Sequence, residues 1–547
     1  MITIRNHTFS TYDNDIRALV NAFYPGVPIQ FGTEQVTESG RAAETEIFLD
    51  IDSLKCEMEP IGESGAGRDS GIITARFAEK TQLKKALYQR LSAQTGRSLP
   101  WGTLTGIRPV RILEMLEQQG LTPAEADSRL REQFLISADK IRLMKDIYRT
   151  EQEVLSRIDY RNTCSLYIGI PFCPTRCLYC SFTSNPIDLW ADRVDLYVEC
   201  LKREMQTLAA QREMQREIQA TGARQNMQQE MQALAAQRAD AGTHRDRSGF
   251  IPALPISTVY IGGGTPTALT AAQLDRLLTE MEEIFYIYGN AGAAAAPPDV
   301  AGKTPLAELT VEAGRPDSIT EEKLRVLKAH RVGRISINPQ TFQQKTLDLI
   351  GRRHTVEETV RAYELARRLG FDNINMDLIM GLPGENLKDV EMTLAKVREL
   401  QPDNLTVHTL AVKRAARLST EQKAWGGIER KGSSPDAGEA SEIACMTELG
   451  AECAAELGMH PYYLYRQKNM AGNQENVGYA KPGKESLYNI LMMEEKHSVY
   501  GLGAGSSTKE VIYADREAVR PDGRKKVIRS DNPKSLKDYA AHFGITL

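Results

Sequence analysis

The residues best suited to chemistry form one loop, Cys173-Pro-Thr-Arg-Cys177-Leu-Tyr-Cys180, entered from the apolar run Leu166–Phe172. A C-x3-C-x2-C spacing can bring three thiolates to one compact metal centre. Structural zinc normally takes four protein ligands, and a [4Fe–4S] cube has four irons to ligate. Three thiolates on a cube leave one iron open, where a small molecule can bind and react. A zinc knuckle whose fourth ligand lies elsewhere in the chain is the alternative.

A second motif, Ile261-Gly-Gly-Gly-Thr-Pro-Thr267, follows a β-branched run. Consecutive glycines let a backbone approach a ligand closely and expose its N–H and C=O groups. The segment lacks the Gly-Lys-Ser/Thr ending of a phosphate-binding loop. Further along, Glu312, Gln340 and Asp377 fall in or just after short apolar runs, with Arg352 one helical stretch beyond Gln340. An acid at a strand end can bind a ribose hydroxyl or an amine, and an arginine can hold a carboxylate. His408 also sits at a strand end, as a core histidine or a substrate contact. Cys56, Cys164, Cys200, Cys445 and Cys453 are scattered and read as small apolar residues. Cys445 and Cys453, eight apart in a helix-like segment, could face the same way.

The elements that must position these groups change character near Ser165. Before it, residues 1–155 read as a separate α+β domain. It has helical periodicity over Thr81–Gln94, Ile112–Gly120 and Thr122–Ile158, and a turn-rich patch at Leu99–Arg111. After it, candidate strands at Leu166–Ile170, Ile256–Ile261, Glu308–Glu312, Gly333–Asn338, Asn373–Leu378 and Asn404–Thr409 precede helix-like segments such as Thr270–Ile284, Thr320–Ala329, Val356–Leu369 and Leu387–Leu400. Strands alternating with helices imply βαβ units and a parallel sheet. Six such repeats predict an α/β fold with a partial (β/α)6 barrel over 156–411. The candidate residues then lie at the strand C-termini, the functional face of a parallel barrel. Two insertions interrupt it, at about 204–250 and 290–305. In the first, Glu204-Met-Gln-Thr-Leu-Ala-Ala-Gln-Arg212 returns as Glu230-Met-Gln-Ala-Leu-Ala-Ala-Gln-Arg238, as a solvated helical excursion or a coiled-coil partner site would. The second, rich in Ala, Gly and Pro, reads as a loop, as does Lys431–Glu439. Residues 412–547 read as a C-terminal α/β region packed over the barrel mouth.

Bulk composition narrows the function classes. The 547 residues are 41% hydrophobic and 26% charged with a net charge of −4, which argues against nucleic acid as the main partner. No run of about 18 apolar residues offers a membrane span. The first residues lack the zones of a signal peptide. The eight cysteines are therefore expected as thiols in a reducing cytoplasm rather than as disulfides.

Together these motifs resemble the radical S-adenosylmethionine (SAM) superfamily, and within it the oxygen-independent coproporphyrinogen III oxidases. The series that carries the likeness is Tyr167, Cys173, Cys177, Tyr179, Cys180, Gly263, Gly264, Thr265, Glu312, Gln340, Arg352, Asp377 and Ala411. Phrases shared with the branch usually called coproporphyrinogen dehydrogenase HemZ include Thr105–Pro109, Val407–Lys413 and Tyr462–Asn473. The resemblance implies that Cys173, Cys177 and Cys180 hold a [4Fe–4S] cluster and that the other residues contact SAM, with Tyr167 close enough to tune the centre. It further implies SAM cleavage to a 5′-deoxyadenosyl radical, hydrogen abstraction from a propionate of coproporphyrinogen III, and loss of CO2 to leave a vinyl group. A tetrapyrrole substrate and a reducing electron donor such as flavodoxin or ferredoxin would be the partners. Arg108, Arg111, Lys413, Arg466 and Lys468 are, by local context, candidate partners for the propionates or else ordinary surface charges. One position departs from the pattern. The decarboxylating enzymes carry a further cysteine two residues after the third cluster ligand, where this chain has Phe182. Phenylalanine there is the habit of a haem-binding trafficking branch, whose His-Asn-x-x-Tyr-Trp segment this chain lacks.

Overall fold

The computed structural model describes residues 2–6, 8–24, 27–31, 47–51, 68–106, 108–221, 254–290, 304–411, 437–467, 470–512 and 526–547. The chain begins with a small parallel sheet in which β1 (Ile2–Arg5) lies between β2 (Ile29–Phe31) and β3 (Ile47–Asp50). The helix Asp13–Phe23 packs on it through Ile16, Leu19, Val20 and Phe23, and residues up to Leu99 complete a separate apolar core. The helical stretch expected over Thr122–Ile158 is broken in two, Pro123–Glu132 and Ala138–Leu155. Leu135 turns the chain at φ +55°, and Ser137 then caps the second helix through the Lys140 amide, satisfying a donor that a helix start leaves orphaned.

The predicted barrel strands are present as β4 (Cys164–Ile170), β5 (Ile256–Gly263), β6 (Glu308–Glu312), β7 (Arg334–Ser336), β8 (Ile374–Met380) and β9 (Asn404–Thr409). They pair in parallel in chain order, and β9 does not close onto β4, so the barrel is partial. Strands of the later chain join this sheet at both edges. Antiparallel β11 (Asn476–Ala480) adds to β9 and carries β10 (His460–Tyr465); β12 (Ser498–Leu502) runs parallel to β4, followed by β13 (Ser507–Ile512) and β14 (Lys526–Asp531).

A two-residue period explains why these segments are strands and which face does chemistry. One row (Leu166, Ile168 and Ile170, then Val259 and Ile261, then Leu309 and Val311) is buried among the surrounding helices. The alternate row is polar: Ser165 and Tyr167, Thr258 and Tyr260, Thr310 and Glu312, Arg334, Asn375 and Asp377, Thr406 and His408. Register aligns its members across strands, with Tyr167 opposite Tyr260, Tyr260 opposite Thr310, Thr310 opposite Arg334 and Asp377 opposite Thr406. Residues between Trp101 and Ile147 share the barrel's core. They reach both edges of the sheet. Trp101 Nε1 donates to Glu475 Oε2 (2.7 Å) beside β11, while Arg108 and Arg111 pair with Glu495 before β12 (2.6 and 2.7 Å).

Candidate functional site

The cysteine loop leaves β4 through a short extended pair, Phe172–Cys173 alongside Asn185–Pro186. Hydrogen bonds brace the loop internally and against its neighbours. Leu178 N donates to Ile350 O (3.0 Å), Thr175 Oγ1 to Gly351 O (3.0 Å) and Cys180 N to Cys177 O (3.2 Å). Cys173 and Cys177 are buried and Cys180 is partly exposed; all three are free thiols. Burial pushes the Cys173 thiol up to about 11 and raises that of Cys180. Among the described residues, no three His, Cys, Asp or Glu side chains converge tightly enough to share one metal ion.

The glycine segment forms the floor beneath this loop. Gly264 N donates to Ile170 O and Thr265 N to Phe172 O, both at 2.7 Å. A Cβ at Gly264 would lie 2.6 Å from Phe172 O and 3.0 Å from Cys173 Sγ, so only glycine permits this approach. Gly263 is at φ +105°, a conformation open to glycine. Thr265 Oγ1 donates to Cys173 Sγ (3.4 Å), and Ser184 Oγ lies 4.0 Å from Cys180 Sγ. Tyr179 packs on Ile350, Ile379, Leu382 and Leu410, placing an apolar wall beside the loop and next to Ala411.

Two arginines border Cys177. Arg315 Nη1 lies 3.7 Å from its Sγ and also donates to Thr175 O (3.1 Å) and Oγ1 (3.0 Å), while Nε and Nη2 clamp Asp317 at 2.9 and 2.6 Å. Arg352 lies beside the same thiol, close enough for their charges to interact, and donates to the carbonyls of Asn338 and Gly314. Arg352 Nε and Asn338 Oδ1 are buried without a partner in the described structure. Beneath them His354 is fully buried; burial and the Arg352 charge push its imidazole down to about 3, so it is neutral. A cleft of about 620 Å³ opens between Pro174–Arg176, Pro186, Asp188 and Asp348–Arg353.

The acids lie on the polar barrel lining. Tyr260 donates to Glu312 Oε1 (2.6 Å), and a Cβ at Gly262 would meet Glu312 Oε2 at 3.0 Å. Burial, reinforced by the Asp377 charge, pushes the Glu312 carboxyl up to about 7 despite the tyrosine. Asp377 is held the other way. Burial opposes its ionisation, but His408, Asn375 and Thr406 overcome this and keep it below the usual carboxylate range. His408 Nδ1 in turn meets Tyr465 OH at 3.3 Å. Gln340, at φ +68°, bridges to β8: its N donates to Asp377 O (2.9 Å) and its carbonyl accepts from Ile379 N (3.0 Å). Tyr167 stands in this lining, stacked 6.3 Å from Tyr260, rather than in the cysteine loop.

Thus the cysteines, Tyr179, Gly264, Thr265 and Arg352 gather at the loop, and Glu312, Asp377 and Tyr167 along the lining. Arg108 and Arg111 are engaged with Glu495. Arg466 is spent on the carbonyls of Leu104, Asn473 and Gln474 and on the Trp101 ring, 5.3 Å away. Lys413, Lys468 and Cys56 lie outside the described residues. Cys445 is exposed while Cys453 is buried, so the two share no site. The sequence reading missed Arg315 and Asp317, flagged by Ala313-Gly-Arg-Pro-Asp317 directly after Glu312, and Tyr260, legible in the polar alternation. Phe182 is 65% exposed, and its backbone N–H is hydrogen-bonded to the Cys180 thiol. No helix among the described residues is long and apolar enough to cross a membrane.

Comparison with known proteins agrees with this layout. Residues 249–397 match the model of the Radical SAM superfamily. The chain is 39% identical to the oxygen-independent coproporphyrinogen-III oxidase-like protein HemZ of Bacillus subtilis, over 96% of this chain and 92% of that protein. It is 29% identical to the haem chaperone HemW of the same organism (62% and 70% covered) and 27% identical to the oxygen-independent coproporphyrinogen III oxidase of Escherichia coli (45% and 42% covered). The solved E. coli coproporphyrinogen III oxidase HemN aligns over 72% of each chain at 20% identity and a TM-score of 0.44, too distant to bear on function.

Proposed function

Because this chain belongs to the HemZ-like family of radical SAM proteins, which use a [4Fe–4S] cluster and SAM, we propose that it oxidatively decarboxylates the propionates of coproporphyrinogen III to vinyl groups, giving protoporphyrinogen IX. The observation that carries the reading is the thiol loop set on a glycine floor at the open end of a polar-lined barrel. The donor set suits the cofactors: three thiols, a backbone that only glycine lets come so close, and the unpaired Arg352 Nε and Asn338 Oδ1 beside them. When bound, these cofactors supply a carbon radical able to take a hydrogen atom from an unactivated C–H bond. The residues do the rest. Cys173, Cys177 and Cys180 hold the cluster, with the Thr265 hydroxyl bonded to Cys173. Arg352 presents a buried guanidinium to a carboxylate. Ionised Asp377 accepts from hydroxyls, and Glu312 gives up its proton to face an ammonium group. Gly263, Gly264, Gln340, Tyr179 and Ala411 shape the walls, and the apolar patch around Tyr179 keeps water from the loop.

The test is an anaerobic assay of reconstituted protein with reductant, SAM and coproporphyrinogen III, scoring 5′-deoxyadenosine and porphyrin products together. Deoxyadenosine with harderoporphyrinogen or protoporphyrinogen, both lost in Cys177→Ala, supports the reading. Deoxyadenosine without decarboxylation sinks it. Phe182 favours a second reading, a haem-trafficking protein that keeps its cluster; that reading requires stoichiometric haem binding and no decarboxylated product.

A further inference from the structure

The three cysteines have unequal surroundings. Cys173 and Cys180 meet hydroxyls, from Thr265 at 3.4 Å and Ser184 at 4.0 Å. Cys177 has a guanidinium nitrogen against its sulfur, Arg315 Nη1 at 3.7 Å, with Arg352 and Tyr179 beside it, while the Arg176 charge acts on Cys180 and that of Arg315 also on Cys173. Arg352 has another task in the proposed function, holding a carboxylate. Arg315 has none, although it is 3% exposed and spans five donor–acceptor contacts.

We propose that Arg315 is a positioning residue that sets the reduction potential of the cluster through Cys177, with Asp317 setting how much of its charge the sulfur feels. Its geometry is fixed from two sides. Asp317 grips Nε and Nη2, and the loop carbonyl and hydroxyl of Thr175 fix Nη1, so the cation cannot swing away from the sulfur. A cation beside a ligand sulfur, in surroundings that screen charge poorly, stabilises the reduced and more negative form of a cluster and raises its potential. Asp317 opposes part of that field. Neutral His354 beneath the pair adds no further charge. A guanidinium serving only to tie Thr175 in place would need neither the sulfur contact nor a two-point ion pair with Asp317.

The proposal rests on the cluster assignment above and is tested by redox titration of reconstituted protein, followed by electron paramagnetic resonance. Iron and sulfide content are measured in the same samples. With the cluster content unchanged, Arg315→Gln should shift the midpoint to more negative potential and Asp317→Asn should shift it to more positive potential. Arg315→Lys, which keeps the charge, should stay nearer the unmodified chain than the glutamine variant. Unchanged midpoints in both Arg315→Gln and Asp317→Asn overturn the proposal. So does loss of the cluster in all three variants, which would make Arg315 an anchor only. Failure of the unmodified chain to take up a four-iron cluster would instead remove the cofactor assignment.

Discussion

The cysteine loop and the barrel lining stand at the same end of one sheet, yet they handle buried charge in opposite ways. Around the loop, cations are built in: Arg315 and Arg352 sit against a thiol, and Asp317 is held ionised by the arginine, against the cost of its burial. Along the lining, the acids are matched less completely. Asp377 has His408, but Glu312 is pushed up to about 7 by burial and the Asp377 charge, even though Tyr260 and the buried Arg334 pull it down. A buried charge with its partner is settled before any ligand arrives; one without stays protonated until a cation comes. The loop is thus prepared for anionic groups, and the lining is poised for a cationic one.

The largest effect should come from removing a thiol. Cys173→Ala, Cys177→Ala or Cys180→Ala should abolish four-iron incorporation and deoxyadenosine formation, read by iron analysis and product chromatography; a fully loaded variant would sink the ligand assignment. Next, Arg352→Ala should weaken SAM binding about 10- to 100-fold, the cost of removing a charged hydrogen-bond donor. Equilibrium dialysis on cluster-loaded protein measures it, and unchanged affinity would detach Arg352 from the loop's anion-binding role.

Glu312 gives a smaller effect with a sign that can be worked out. Its folded value, about 7, lies above the usual 4.3 of an unfolded glutamate. The folded chain therefore holds this proton more tightly, and the stability that goes with it is present below about pH 4 and lost as the pH rises through 7. Ligand-free Glu312→Gln should gain stability over the unmodified chain as the pH rises from 5 to 8; a pH-independent difference in denaturation midpoint would refute the shift. SAM affinity of the unmodified chain should fall as the pH drops below 7, where Glu312 is protonated. Smallest of all, Phe182→Ala should leave cluster content unchanged and stability within about 0.5 kcal/mol, because the ring is exposed and the bond to Cys180 is made by the backbone, which the substitution keeps.

Much of the fold was legible because its signals are local. Runs such as Leu166–Ile170 and Ile374–Met380 carry β-branched or apolar residues between turn signals, and capping boxes at Thr270, Thr355 and Asn386 start the intervening helices where the periodicity changes. The Thr122–Ile158 stretch misled because apolar periodicity continues across Leu135, where only the backbone turn and the Ser137 cap interrupt it. Arg108, Arg111 and Arg466 looked available for substrate because a chain of letters does not show which carboxylates and carbonyls surround them.

The sequence alone put three thiols in one loop. Cysteine spacing is a property of eight consecutive residues, and it suits a four-iron cube with one open iron or a zinc site completed from elsewhere in the chain. It also determined the order of strands and helices, since each follows from residues a few positions apart. Only the tertiary structure decided which side chains meet. Tyr167 faces Tyr260, and Asp377 lies opposite Thr406, because hydrogen bonding between distant strands sets the register. Arg315 reaches Cys177 across 138 residues of chain because β4 and β6 end at the same level, with β5 between them. Local spacing fixes what a group can bind; the charge that tunes it comes from whatever the sheet places alongside.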